Sequence, residues 1–238
     1  MPTNKSTDRF AMPESVEKGN RSRRDFLRYA GGTALLAGGL ASCSKFHDYF
    51  PHGGGNGHTV DLGKGDTGIL NYAYALEQLE AAFYTKVISK PYGNCSDSEF
   101  QLLKDIRDHE IAHREFFKNA LSSSAIKDLE TDFSTVNFNS RDSVLATAKA
   151  FEDLGVSAYN GAGQLISNPA YLTLAGKIVS VEARHAAYIR DLISNGSFAD
   201  MSVIDANGLD QSNTPATVLA IANTYLKTKV SGNNLPTS

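Results

Sequence analysis

The chain has 238 residues, 41% apolar and 21% charged, enough for one well-cored domain. Its formal charge of -3, with no basic tract interleaved with aromatics in the body of the chain, argues against a nucleic-acid partner. Two cysteines, Cys43 and Cys95, leave little scope for disulfide stapling.

The first 42 residues do not pattern as part of a fold. Ser22-Arg23-Arg24-Asp25-Phe26-Leu27-Arg28 precedes a short, glycine-rich apolar run, which is too short for a stable membrane span. The segment resembles a twin-arginine export signal, a route that carries folded proteins. Leu40-Ala41-Ser42-Cys43 is similar to a lipobox, which makes Cys43 the expected lipidation site and a membrane the expected partner; ordinary cleavage nearby is the alternative. The localisation expected is therefore periplasmic or membrane-anchored. Removal of 1–42 takes away more basic than acidic residues and leaves a more acidic remainder. Residues 43–65, rich in glycine, are expected to form a tether.

From residue 66 onward the periodicity is helical, with no clean strand alternation. The first helix is expected to be capped by Asp66 or Thr67 and to stop before Pro91. Ser96 and Glu99 have capping-box spacing ahead of the second. After a connection of about 20 residues, a third helix is expected over 141–167. Asn168-Pro169 starts a fourth that ends at Asn195-Gly196. Thr214-Pro215 starts a shorter fifth, expected to run to about residue 230 within a C-terminal extension over 197–238. Two short connections and one long crossover predict an all-α, ferritin-like four-helix bundle over 66–196.

Each long helix carries acids where apolar residues belong. The inward stripes are Leu70, Ala73, Glu77, Glu80, Tyr84 and Val87; Leu102, Ile106, Glu110, His113 and Phe117; Leu145, Ala148, Glu152, Val156 and Tyr159; and Leu174, Ile178, Glu182, His185 and Ile189. A buried carboxylate costs several kcal/mol unless it is paired or bound to metal. The spacings also repeat. Glu77–Tyr84 matches Glu152–Tyr159 at an offset of 75 residues, and Glu110–His113 matches Glu182–His185 at an offset of 72. A glutamate from each of two helices plus Glu-x-x-His from the other two is a di-iron or di-manganese ligand set. Four carboxylates and two imidazoles nearly neutralise two divalent ions. Both metals accept these ligands, so iron and manganese stay open.

The chain resembles the ferritin-like superfamily, and within it the exported ferritin-like domain proteins of desiccation-related type. The segments "LEQLEAAFY", "FEDLGVSAYNGAG" and "GLDQSNTPATVLAIANTYL" carry that closer likeness, which spans 66–230. The resemblance implies Glu77 and Glu152 as terminal ligands, Glu110 and Glu182 as bridging ligands, and His113 and His185 as nitrogen ligands. It implies Tyr84 and Tyr159 as hydrogen-bond supports for those ligands, and a protective role in oxidative or drying stress. Reaction of two iron or manganese ions with dioxygen or peroxide is the expected chemistry.

Several alternatives stand beside this. Glu80 shares the stripe of Glu77 and is a rival ligand, a supporting group or a partner for Arg184. The tyrosines are equally readable as core aromatics. A homo-oligomer is open. The bundle is also compatible with a non-catalytic binding or structural module. Finally, His109-Glu110-Ile111-Ala112-His113 spells the H-E-x-x-H of zinc proteases. The repeat argues against that use, because it keeps Glu110 and His113 but places Val181 at the position of His109.

Overall fold

The computed structural model describes residues 59–237. The expected export signal, Cys43 and most of the expected tether lie outside the described residues. Four long helices dominate: α1 (Gly65–Ser89), α2 (Asp97–Leu121), α3 (Arg141–Gly163) and α4 (Pro169–Ile193). A short α5 (Pro215–Ala222) follows, and two-residue strands β1 (Val60–Asp61) and β2 (Val230–Ser231) flank the helical body. α1 packs mainly on α2 and α3 on α4, as short connections require, and α1 meets α3.

The helix starts follow their capping chemistry, with one exception. Side chains of Ser96, Ser140, Asn168 and Thr214 each accept a backbone N–H from the first turn that follows. α1 instead begins after Lys64, which makes no side-chain cap. Asp66 does not cap it. Its carboxylate accepts the backbone N–H groups of Ser167 and Asn168, both at 2.8 Å, and so ties the start of α1 to the turn before α4.

α1 is the central helix. It buries sixteen of 25 residues where α2 buries five, so the single inward stripe expected of α1 is too narrow a description. The cause is the crossover and the tail, which cover the bundle on the α1 and α3 side. The crossover runs along α1: Asn71 donates to Ser124 O and accepts from Ile126 N, Gln78 accepts from Leu129 N, and Phe133 packs edge-on against Phe83. The tail then pairs with the crossover through Asp132 N to Tyr225 O and Lys227 N to Glu130 O. Val218, Leu219, Ala222, Leu226, Val230 and Leu235 of the tail join the main apolar core.

Three boundaries differ from the sequence expectation. Val60 and Asp61 are not tether: β1 pairs in parallel with β2, and Leu62 is fully buried. α3 stops at Gly163 rather than 167. α5 stops at Ala222 because Asn223 turns away to grip Val230, accepting its N–H and donating to its C=O. The β-branched stretch that follows becomes a strand once it finds β1 as a partner. Gly161 explains how the tail lies so close to α3: a Cβ there would sit 1.8 Å from Asn213 O.

Candidate metal centre

The six acids and imidazoles singled out by the repeat meet at mid-bundle. Glu77, Glu110, Glu152 and Glu182 are fully buried, His185 is 5% exposed, and His113 is partly buried. Each sits on the inner face of its helix because three- and four-residue spacing returns to that face. Two overlapping groups form, Glu77, Glu110, His113 and Glu182, and Glu110, Glu152, Glu182 and His185. Within each, one donor atom per residue lies within 4.8 Å of all the others.

The two halves correspond atom for atom. His113 Nδ1 lies 2.8 Å from Glu182 Oε1, 3.5 Å from Glu77 Oε2 and 3.7 Å from Glu110 Oε2. His185 Nδ1 lies 2.8 Å from Glu110 Oε1, 3.5 Å from Glu152 Oε2 and 3.6 Å from Glu182 Oε2. The tyrosines cross between halves. Tyr84 on α1 donates to Glu152 Oε1 at 2.5 Å, and Tyr159 on α3 donates to Glu77 Oε1. Glu77 and Glu152 therefore each have one oxygen occupied and one free, whereas Glu110 and Glu182 have both free.

Those free atoms are the informative ones. Glu77 Oε2, Glu152 Oε2, both oxygens of Glu110 and of Glu182, and both Nδ1 atoms are buried without a hydrogen-bond partner among the described residues. At 2.8 Å the closest imidazole–carboxylate pairs attract as ion pairs rather than closing as hydrogen bonds. Eight donor atoms thus converge on shared space rather than on one another. A buried polar atom left unpaired costs about 1–3 kcal/mol, so a set of eight is retained only if something else satisfies it. Cations can do so, since carboxylate oxygens and imidazole nitrogens are metal-ligating groups.

Charge tells the same story. Burial, and then the charge of Glu182, push Glu77 well above the ordinary carboxyl range; burial also lifts Glu152 to about 8. Burial would raise Glu110 too, but the approach of His113 and His185 outweighs it and holds Glu110 at about 2. Burial would lower both histidines, yet the surrounding carboxylates push His113 and His185 up to about 12. The cluster is thus a sink for positive charge, met by protons where no metal is bound.

Glu80 belongs to neither group of donors. It is buried at 4% exposure on the inner side of α1, where a Cβ on Gly155 would come 3.0 Å from its Oε1. Gly155 occupies the place in α3 that Glu80 occupies in α1, so the repeat is broken there to admit one carboxyl. Burial, then the charges of Glu110, Glu182 and Glu152, hold Glu80 well above the usual range. Arg184 is not its partner: it donates to Ser180 O on the exposed face of α4, and Arg114 pairs with Glu115. His109 lies outside both groups and is exposed, so the H-E-x-x-H string does not present two histidines to one ion. Its Nδ1 instead meets His185 Nε2 at 2.8 Å.

One organising residue escaped the sequence reading. Arg190, 2% exposed, joins Asp153 of α3 at 2.6 Å and Asp200 of the tail at 2.7 Å. It sits five residues past His185 and fixes α4 to α3 and to the extension. Its position on the buried face of α4 was the available signal, since an arginine there needs partners.

Fold and cluster together define a class, the four-helix bundles with a carboxylate–imidazole core able to hold metal. Residues 65–195, more than half of the chain, match a family profile described as the ferritin-like domain, and the chain belongs to that family. A search of curated proteins found no match.

Proposed function

We propose that the cluster is a di-metal centre for two iron or manganese ions. Glu77 and His113 would hold one ion, Glu152 and His185 the other, and Glu110 and Glu182 would lie between them. The convergence of eight unpaired donor atoms carries this reading. When bound, such a pair supplies electron exchange with dioxygen or hydrogen peroxide, as in oxidase, peroxidase or catalase chemistry. The chain's own residues set the conditions for it. Tyr84 and Tyr159 each tie down one oxygen of a carboxylate and so orient the other. The crossover and the tail exclude water from the α1 and α3 side. His113, 14% exposed at its side chain, marks the side of α2 and α4 as the approach for a small oxidant.

Metal analysis of protein folded in the cytoplasm tests this directly. About two iron or manganese ions per chain are expected, with loss of both in the double variant Glu110→Ala, His185→Ala. Less than one ion per chain, unchanged in the double variant, refutes the di-metal reading. Peroxide-consumption and ferrous-oxidation assays on the loaded protein then separate an enzyme from a binding module.

We further propose that the domain works outside the cytoplasm, exported by the twin-arginine route and anchored through Cys43, in protection against oxidative or drying stress. The support is the sequence of residues 22–43 and the likeness to desiccation-related proteins. Cell fractionation decides the anchor. Cys43→Ser is expected to move the protein from the membrane fraction to the soluble one, and an unchanged distribution refutes lipidation.

A further inference from the structure

The two halves of the cluster share their donor set and nearly share their distances, but they differ in what stands behind the imidazoles. His185 Nε2 is 2.8 Å from His109 Nδ1. The two rings lie within 9° of parallel with centroids 5.1 Å apart. With nitrogens in hydrogen-bond contact, this is an edge-to-edge bond in a common plane, not a face-to-face stack. It links α2 to α4 beside the cluster. The corresponding position in the second half is Val181, which has no hydrogen-bonding group. Among the described residues no side chain bonds His113 Nε2.

We infer that His109 is a positioning residue that makes the two metal positions unequal, with the His185 position the tighter. This rests on the di-metal reading above. An imidazole that ligates through Nδ1 keeps its remaining proton on Nε2. His109 Nδ1 is placed to accept that proton, which fixes both the tautomer and the ring plane of His185. A partner of this kind is commonly worth 10–100-fold in metal affinity. His113 lacks such a partner, so no neighbouring side chain among the described residues fixes the proton on its Nε2. The H-E-x-x-H string thus keeps a use for its first histidine: it supports a ligand on the facing helix rather than binding metal itself.

The test is titration of manganese(II) into the metal-free full chain, followed by calorimetry and by electron paramagnetic resonance. The wild type is expected to show two steps about 10–100-fold apart, with an isolated-ion spectrum at one equivalent and a coupled-pair spectrum at two. His185→Ala should remove the tight step and His113→Ala the weak one. His109→Val, which copies Val181, should weaken the tight step by about 10–100-fold and leave the weak step unchanged. Its helix content without metal, read by circular dichroism, should stay at the wild-type value, because His109 is exposed on α2. His109→Gln, whose side-chain oxygen accepts the same proton, should recover most of the loss. Two wild-type-like steps in His109→Val overturn the inference while leaving the di-metal centre intact. Equal loss in the valine and glutamine variants overturns it as well, since a merely structural role predicts that. Less than one manganese ion bound by the wild type overturns both the inference and the centre.

Discussion

Metal uptake by this cluster should be steeply dependent on pH, and the structure gives the sign and the size. His113 and His185 are held at about 12 and Glu152 at about 8 in the metal-free protein. At pH 7 both imidazoles are therefore protonated, and burial keeps Glu152 largely protonated as well. Cations need the same atoms deprotonated. Loading releases protons, so affinity rises with pH and falls as the solution is acidified. Each proton released changes the binding constant about tenfold per pH unit. The two imidazoles alone give about a hundredfold per unit for loading the pair, and Glu152 brings this toward a thousandfold below pH 8. Calorimetry of manganese(II) binding in buffers of different ionisation heat counts the protons. About two to three per chain are expected at pH 7 from the imidazoles and Glu152, and Glu77, held above the usual carboxyl range by burial, adds to that number. Fewer than about one proton, or an affinity constant between pH 6 and pH 8, would refute the picture of metal and proton competing for one set of buried atoms.

Other perturbations separate function from scaffold. Tyr159→Phe removes the donor to Glu77, and Tyr84→Phe the donor to Glu152. Each should lower manganese affinity by about 10–100-fold in a competition titration, and unchanged affinity in both would reduce the tyrosines to core aromatics. Gly161→Ala should destabilise the protein, although alanine ordinarily favours a helix by about 1 kcal/mol. The new Cβ would lie 1.8 Å from Asn213 O and force away the tail segment whose Asn213 N–H bonds Ser157 O at 3.0 Å. Overpacking of about 1–3 kcal/mol and a lost hydrogen bond of about 1 kcal/mol outweigh the helix gain. Thermal unfolding should show a net loss of about 1–3 kcal/mol, and an increase in stability would mean that the tail does not dock on α3.

Much of the site was legible because helical geometry is local. Glu110 and His113 must share a face at a spacing of three, and so must Glu182 and His185. The duplicated spacing then marked Glu77 and Glu152 as counterparts before any contact was known. Between Glu77 and Glu80 the repeat favoured Glu77 but did not settle the choice, since both lie on the inner face of α1. The structure places Glu77 among the converging donors and Glu80 in the space left by Gly155. The crossed tyrosine bonds were equally hidden, because spacing within a helix cannot show that Tyr84 serves Glu152 on another helix.

The sequence by itself determined the helices, most of their caps and the faces that carry the acids. These depend on neighbours three or four residues away, and on side chains that bond the backbone beside them. Only the tertiary structure decided what the tail does, where β1 belongs and which partner His109 takes. The tail lies against α3 because Gly161 admits the close approach of Asn213, and β1 exists only where β2 arrives to pair with it. His109 meets His185 across 76 positions of sequence, on a facing helix, and no local rule reaches that far. Contacts of that range form only when the chain is folded, and here they turn one string of five residues from an apparent pair of zinc ligands into one histidine of the buried donor cluster and one that bonds a histidine of the facing helix.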